Sequence, residues 1–329
     1  MKTIGSLSGS STLGLSLAGL LGLGLLSAGC APPEPEPTDD PTKMSMNEKP
    51  RDPNQIVPTT AEAMAAAVKV KAREYDSAIP RDYSDDKLWP LIVLLHGYGA
   101  NGAAQDLLFG LSSEATRLGY LLAKPDGTVD SKGSHFWNAT DACCDFDKTG
   151  VDDVGYIDAL ITDMAARYRI DRRRVFLVGH SNGGFMSYRM ACDRSPRIAA
   201  LVSLAGANFA DPARCKPSEP VAVLQVHGDK DSAVPYQGGT DGNRTIPSAR
   251  QSVESFAKLG GCTDRPVAGD AIDIEDDLAG SETAVLRWTG CQRGGAELWT
   301  IQGGSHVPVL KRPAWAEQIF AWLSAHAKQ

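Results

Sequence analysis

The run Gly179-His180-Ser181-Asn182-Gly183, followed by Gly184, has the G-x-S-x-G spacing that lifts a serine hydroxyl on a sharp turn. It lies between an apolar run at 175–178 and a stretch of helical spacing. In that context the outer glycines let strand and helix approach closely, and the helix N-terminus favours developing negative charge. A neutral hydroxyl is a poor nucleophile, so a base must take its proton and an acid must orient the base. On sheets of this kind the order along the chain is Ser, then Asp or Glu, then His. Of the six histidines, His96 and His180 precede or adjoin Ser181, His135 lies upstream in a loop, and His326 sits on a polar helix end. His227 and His306 remain. His306 lies in Gly303-Gly304-Ser305-His306-Val307-Pro308, where a glycine lead lets a loop imidazole reach the serine. It is assigned as the base, and His227 as a buttress of the acid's loop. Asp231, in the turn that follows the apolar run 221–226, suits the orienting acid; Asp229 competes, its other role being a turn cap. Two backbone N–H groups should hold the oxyanion: Asn182 after the nucleophile, and Tyr98 in His96-Gly97-Tyr98-Gly99.

The elements that must position these residues are legible as alternating patterns. Residues 91–95, 175–178, 200–204 and 221–226 are short continuous apolar runs, as in strands buried on both faces of a parallel sheet. Between them, 152–168 places Val154, Ile157, Leu160, Ile161 and Met164 on one helical face. Further helices are expected over 183–192, from Ser248, where Ser248 and Gln251 have capping-box spacing, and over 314–327. A strand at Ala296–Ile301 precedes His306. The alternation predicts a mostly parallel central sheet with helices on both faces, its site in the loops at the strands' carboxyl ends. Residues 267–280, rich in Asp and Gly, read as an irregular excursion, and nothing requires a second domain.

The chain has 329 residues and a net charge of -7, which gives nucleic acid no general attraction. Lys2, an apolar run at 13–26 and Ser27-Ala28-Gly29-Cys30 have the shape of an export signal over 1–29. This ending resembles the lipobox of bacterial lipoproteins, which implies a lipidated Cys30 and a membrane anchor; cleavage to a soluble secreted protein is the alternative. Residues 30–57 open on Pro, Glu and Asp in a stretch that cannot bury a core, so an extended tether is expected there, with the catalytic domain over 58–329. Six cysteines remain, an even number that in an exported chain reads as disulfides. The expected pairs are Cys192–Cys215 and Cys262–Cys291, with Cys143 and Cys144 either a vicinal bridge or free thiols. No spacing among them suggests a zinc site.

Leu94-Leu95-His96-Gly97, Val151-Asp152-Asp153-Val154-Gly155, Gly179 to Gly184, and His227-Gly228 through Asp231 to Val234-Pro235-Tyr236 follow one another in an order that resembles the polyhydroxybutyrate depolymerase and feruloyl esterase family. The resemblance spans about residue 68 to the C-terminus. It implies an α/β-hydrolase fold, a triad of Ser181, Asp231 and His306, and neither metal nor organic cofactor. Family members usually carry a late cysteine pair, which Cys262 and Cys291 match. The segment from Phe136-Trp137-Asn138 to Cys143-Cys144 is similar to one near the family's pocket, which makes Trp137 a candidate substrate-binding residue. The implied substrates are feruloyl or acetyl esters of plant polysaccharide, or hydroxybutyrate esters, small or polymeric. A serine peptidase of the same fold and an inactive, surface-anchored binding protein are the rival readings. The sequence does not specify oligomeric state.

Overall fold

The computed structural model describes residues 52–242 and 244–328. The leader, Cys30 and most of the expected tether lie outside the described residues. Among the described residues no helix is long and apolar enough to cross a membrane.

A nine-stranded sheet runs through the described chain. Its strands are β1 (Tyr75–Ala78), β2 (Trp89–Leu95), β3 (Leu121–Pro125), β4 (Ile170–His180), β5 (Ala200–Leu204), β6 (Ala222–Gly228), β7 (Val267–Ala268), β8 (Thr283–Trp288) and β9 (Ala296–Ile301), in the order β1-β3-β2-β4-β5-β6-β9-β8-β7. The stretch from β3 to β9 is parallel throughout. The edges are antiparallel: β1 on β3, β8 on β9 and β7 on β8.

Burial on both faces explains the unbroken apolar runs. Every residue of β2 is buried. Leu91, Val93 and Leu95 join one core, whereas Ile92 and Leu94 join the other. The first core is covered by α1 (Thr60–Lys71), α4 (Asp153–Arg167), α5 (Asn182–Asp193) and part of α6 (Ala249–Leu259); the second by α2 (Gly102–Phe109), α3 (Leu111–Leu118) and α7 (Ala314–Ala325). Each such Leu, Ile or Val contributes roughly 1.5–3 kcal/mol, so these strands are a rigid base for the loops above them. This is the α/β-hydrolase fold.

Two expectations shift. Asn54 to Ile56 already belong to the domain: Gln55 bridges Asp171, and the Ile56 N–H donates to the Ile170 carbonyl. A tether cannot therefore run to residue 57. The stretch 267–280 is largely irregular but carries the short edge strand β7 and bridges at Ile272 and Glu275. Ser248 and Gln251 do form a reciprocal capping box at α6. The disulfides are Cys143–Cys144, Cys192–Cys215 and Cys262–Cys291.

Candidate active site

Four parallel strands, β2, β4, β6 and β9, end at the same edge of the sheet, and each carries one part of the site into the loop beyond it. Ser181 follows β4 at φ 50° and ψ −119°, a left-handed conformation a non-glycine residue holds only when its surroundings impose it. Its N–H donates to the Leu204 carbonyl at the end of β5 (2.8 Å), and its carbonyl accepts from Phe185 in α5 (2.9 Å). Gly183 is required here: a Cβ would run into the backbone of Leu95 and His96.

The structure brings the three sequence-assigned side chains together. Ser181 Oγ lies 2.9 Å from His306 Nε2, and His306 Nδ1 lies 2.8 Å from Asp231 Oδ2. With the Nδ1 proton donated to the carboxylate, Nε2 is the free acceptor for the serine proton. Asp231 has no exposed side-chain surface. Its Oδ1 accepts the N–H groups of Ala233 and Val234, both at 2.8 Å. Desolvation would raise its pKa, but hydrogen bonds from the His227 and His306 rings and the Val234 N–H outweigh it and hold the carboxyl below its ordinary value. His227 donates from Nε2 to the Val234 carbonyl (2.8 Å), stands 3.2 Å from Asp231 Oδ2, and accepts at Nδ1 from Gln225. It buttresses the acid loop and does not approach the serine. Asp229 accepts the Gly303 N–H (2.8 Å), so it caps the turn that leads to His306.

The Tyr98 loop reaches the serine from β2. A Cβ built on Gly97 would sit 3.5 Å from Ser181 Cβ, which places that loop against the nucleophile. His96 shapes it, accepting the Gly127 N–H at Nε2 (2.8 Å) and donating from Nδ1 to the Gly97 carbonyl (2.8 Å). Burial pushes the His96 pKa down to about 4, consistent with a neutral ring in those roles. Among the described residues, no acceptor engages the main-chain N–H of Tyr98 or Asn182. The Asn182 side chain is buried and pairs twice with Trp137, accepting its N–H (2.7 Å) and donating to its carbonyl (2.9 Å).

Trp137 departs from its sequence reading. It is fully buried, its indole N–H donates to the His96 carbonyl (3.1 Å), and Arg73 lies over its ring. No face is left to stack on a ligand, so it is corrected from substrate-binding residue to internal support. The exposed aromatic at the cleft is Phe146, edge-on to Tyr98 at 5.2 Å. Sequence patterns give no means of choosing between two aromatics nine positions apart in one loop. His180 is also missed. Its Nε2 donates to the His306 carbonyl (2.9 Å), fixing the loop that carries the imidazole, and burial lowers its pKa to about 4. Only its place beside the serine hints at that role.

Ser181 and His306 open into a cleft of about 420 Å³ whose walls include Phe146, Phe185, Val234, Pro235, Ile246 and the Cys143–Cys144 bridge. A volume in this range holds a small organic group against mostly apolar walls.

The family described as phospholipase/carboxylesterase matches residues 82–260, which include Ser181 and Asp231 and stop short of His306. Feruloyl esterase D of Neurospora crassa is 26% identical over 244 residues, covering 74% of this chain and 77% of that protein. Feruloyl esterase B of Piromyces equi is 26% identical over 247 residues, covering 72% of this chain and 43% of that protein. The structure of acetyl xylan esterase from Aspergillus awamori aligns with a TM-score of 0.55 at 14% identity, over 76% of this chain and 93% of that one, a likeness of fold. The family match spans more than half of the sequence, and the chain belongs to the phospholipase/carboxylesterase family, as an esterase of the α/β-hydrolase fold.

Proposed function

We propose that this esterase is a serine enzyme that forms an acyl-enzyme at Ser181, with His306 as base, Asp231 as orienting acid, and the Tyr98 and Asn182 N–H groups as oxyanion hole. The observation that carries the reading is the hydrogen-bonded series Ser181–His306–Asp231, with links of 2.9 and 2.8 Å at the cleft. His306 Nε2 takes the serine proton as Oγ attacks the ester carbonyl carbon, and the carbonyl oxygen becomes an anion between the two N–H groups. Collapse expels the alcohol, which leaves with the proton from His306. Water then gives a proton to His306 and attacks the acyl carbon; the acid departs and Ser181 regains its proton. Asp231 stabilises the transient imidazolium without taking its proton.

The substrate class proposed is an ester of an aryl or short acyl group, of the feruloyl or acetyl kind. Apolar cleft walls and the names of the similar proteins support it. Hydroxybutyrate esters remain in the same size class. The apolar run 13–26 ending at Cys30 supports export with a lipid on that cysteine. Replacing the nucleophile by S181A is expected to lower kcat on p-nitrophenyl acetate by about 10⁵- to 10⁶-fold with the fold intact. Near wild-type turnover by that variant would sink the assignment.

A further inference from the structure

Two hollows meet at the strip that runs from Ala142 to Phe146. One is the cleft at Ser181. The other, of about 310 Å³, is bordered by Asn138, Thr140, Asp141, Asp145 and Lys148. Ala142, the bridged cysteines and Phe146 line both, together with Arg244 from outside the strip, so the strip and Arg244 stand where the two hollows adjoin. The two sides differ in chemistry. Phe185, Val234, Pro235 and Ile246 make the Ser181 side mostly apolar, with Ser232, Thr240 and Arg244 among its other lining residues, whereas carboxylates, an amide and an ammonium border the other.

The strip is braced. The Cys143 N–H donates to the Thr140 carbonyl (3.1 Å), and the Asp145 carboxylate accepts the N–H groups of Thr149 (2.9 Å) and Gly150 (2.7 Å). Arg189 donates to the Asn138 (2.5 Å) and Ala139 (3.0 Å) carbonyls. A bridge between adjacent residues adds what packing cannot: neither cysteine side chain can turn away from the cleft without the other. Sulfur also gives the acyl side a polarizable, weakly polar surface.

We propose that the Cys143–Cys144 disulfide is the stop that limits acyl length in the cleft. Aryl and short acyl groups on Ser181 end against the paired sulfurs, and longer chains are turned away because the polar hollow behind is shut off. The proposal rests on Ser181 as the acylated residue. Each methylene that gains burial is worth about fourfold in binding, so removing the two sulfurs should be read directly in chain-length selectivity.

The experiment measures kcat and KM for p-nitrophenyl acetate, butyrate and octanoate with the wild-type protein and the double variants C143A/C144A and C143S/C144S. In the wild type, kcat/KM is expected to be lower for octanoate than for butyrate. In C143A/C144A the octanoate-to-butyrate ratio of kcat/KM is expected to rise at least about tenfold, through KM. C143S/C144S unlinks the side chains while keeping similar bulk, and should shift the ratio the same way by less. Turnover of octanoate by the wild type as efficient as that of butyrate would overturn the proposal without any variant. So would an unchanged ratio in variants whose circular dichroism spectrum matches that of the wild type. Loss of the esterase reading itself has a different signature, acetate hydrolysis that survives in S181A.

Discussion

Asp231 has its two oxygens divided between tasks. Oδ1 is spent on the N–H groups of its own turn, at Ala233 and Val234, and Oδ2 faces the His306 ring. The turn therefore fixes the carboxylate before the imidazole arrives. In D231N the side-chain amide would offer a donor where Nδ1–H needs an acceptor, favouring the tautomer that leaves Nε2 protonated and unable to accept the serine proton. A fall in kcat of about 10⁴-fold is expected on p-nitrophenyl acetate, with the circular dichroism spectrum unchanged. A loss of less than about tenfold would mean that the carboxylate does not orient the base. At this scale the sequence is informative where chemistry narrows the choice of residue type and chain order narrows the position, as for Ser181, Asp231 and His306. It is uninformative about Trp137 against Phe146, because which ring faces the cleft depends on how Asn182 and His96 bind the loop from behind.

β2 is followed directly by a buried histidine, and β4 ends on one, neither of which the chemistry uses. His96 joins the Tyr98 loop to Gly127, and His180 joins the Ser181 turn to the His306 loop. Burial lowers both pKa values from the ordinary 6.5 to about 4, so between those values the unfolded chain binds protons that the folded chain refuses. Stability is then fully present above about pH 6.5 and is lost as pH falls toward about 4, by up to roughly 1.4 kcal/mol per pH unit for each histidine. The urea midpoint should be lower at about pH 5 than at about pH 7, and equal midpoints would contradict the buried, neutral assignment. The parallel strands β2, β4, β5, β6 and β9 and the helices α4, α5, α6 and α7 are readable from periodicity, because burial on two faces or one leaves a continuous or a 3.6-residue apolar pattern. The helices α1, α2 and α3, the short parallel strand β3, the short antiparallel edge strand β1 and the partly exposed antiparallel strand β8 escape it. They are brief or partly exposed, and their placement comes from contacts with strands distant in the chain.

For the molecule as a whole, the sheet separates tasks: its carboxyl edge gathers the site, while the chain enters the domain at Asn54–Ile56 beside the start of β4. Beside β4, β2 covers the same span in six steps, from Trp89 opposite Ile170 to Leu95 opposite Gly179, so at about 3.3 Å per residue that entry lies roughly 25 Å from Ser181. The chain thus enters the domain at the end of the sheet away from the cleft. Metabolic labelling with palmitate is expected to mark the wild-type chain and to be lost in C30S, and label retained in C30S would contradict acylation at that residue. The central claim is that Ser181 becomes acylated during turnover. Rapid mixing of enzyme with p-nitrophenyl acetate should release one equivalent of p-nitrophenol per active site ahead of the steady state if deacylation is the slower step, and acid-quenched digests should carry the acetyl group on the Ser181 peptide. Turnover with no acyl group on that peptide, under conditions where wild-type enzyme shows the burst, would contradict it.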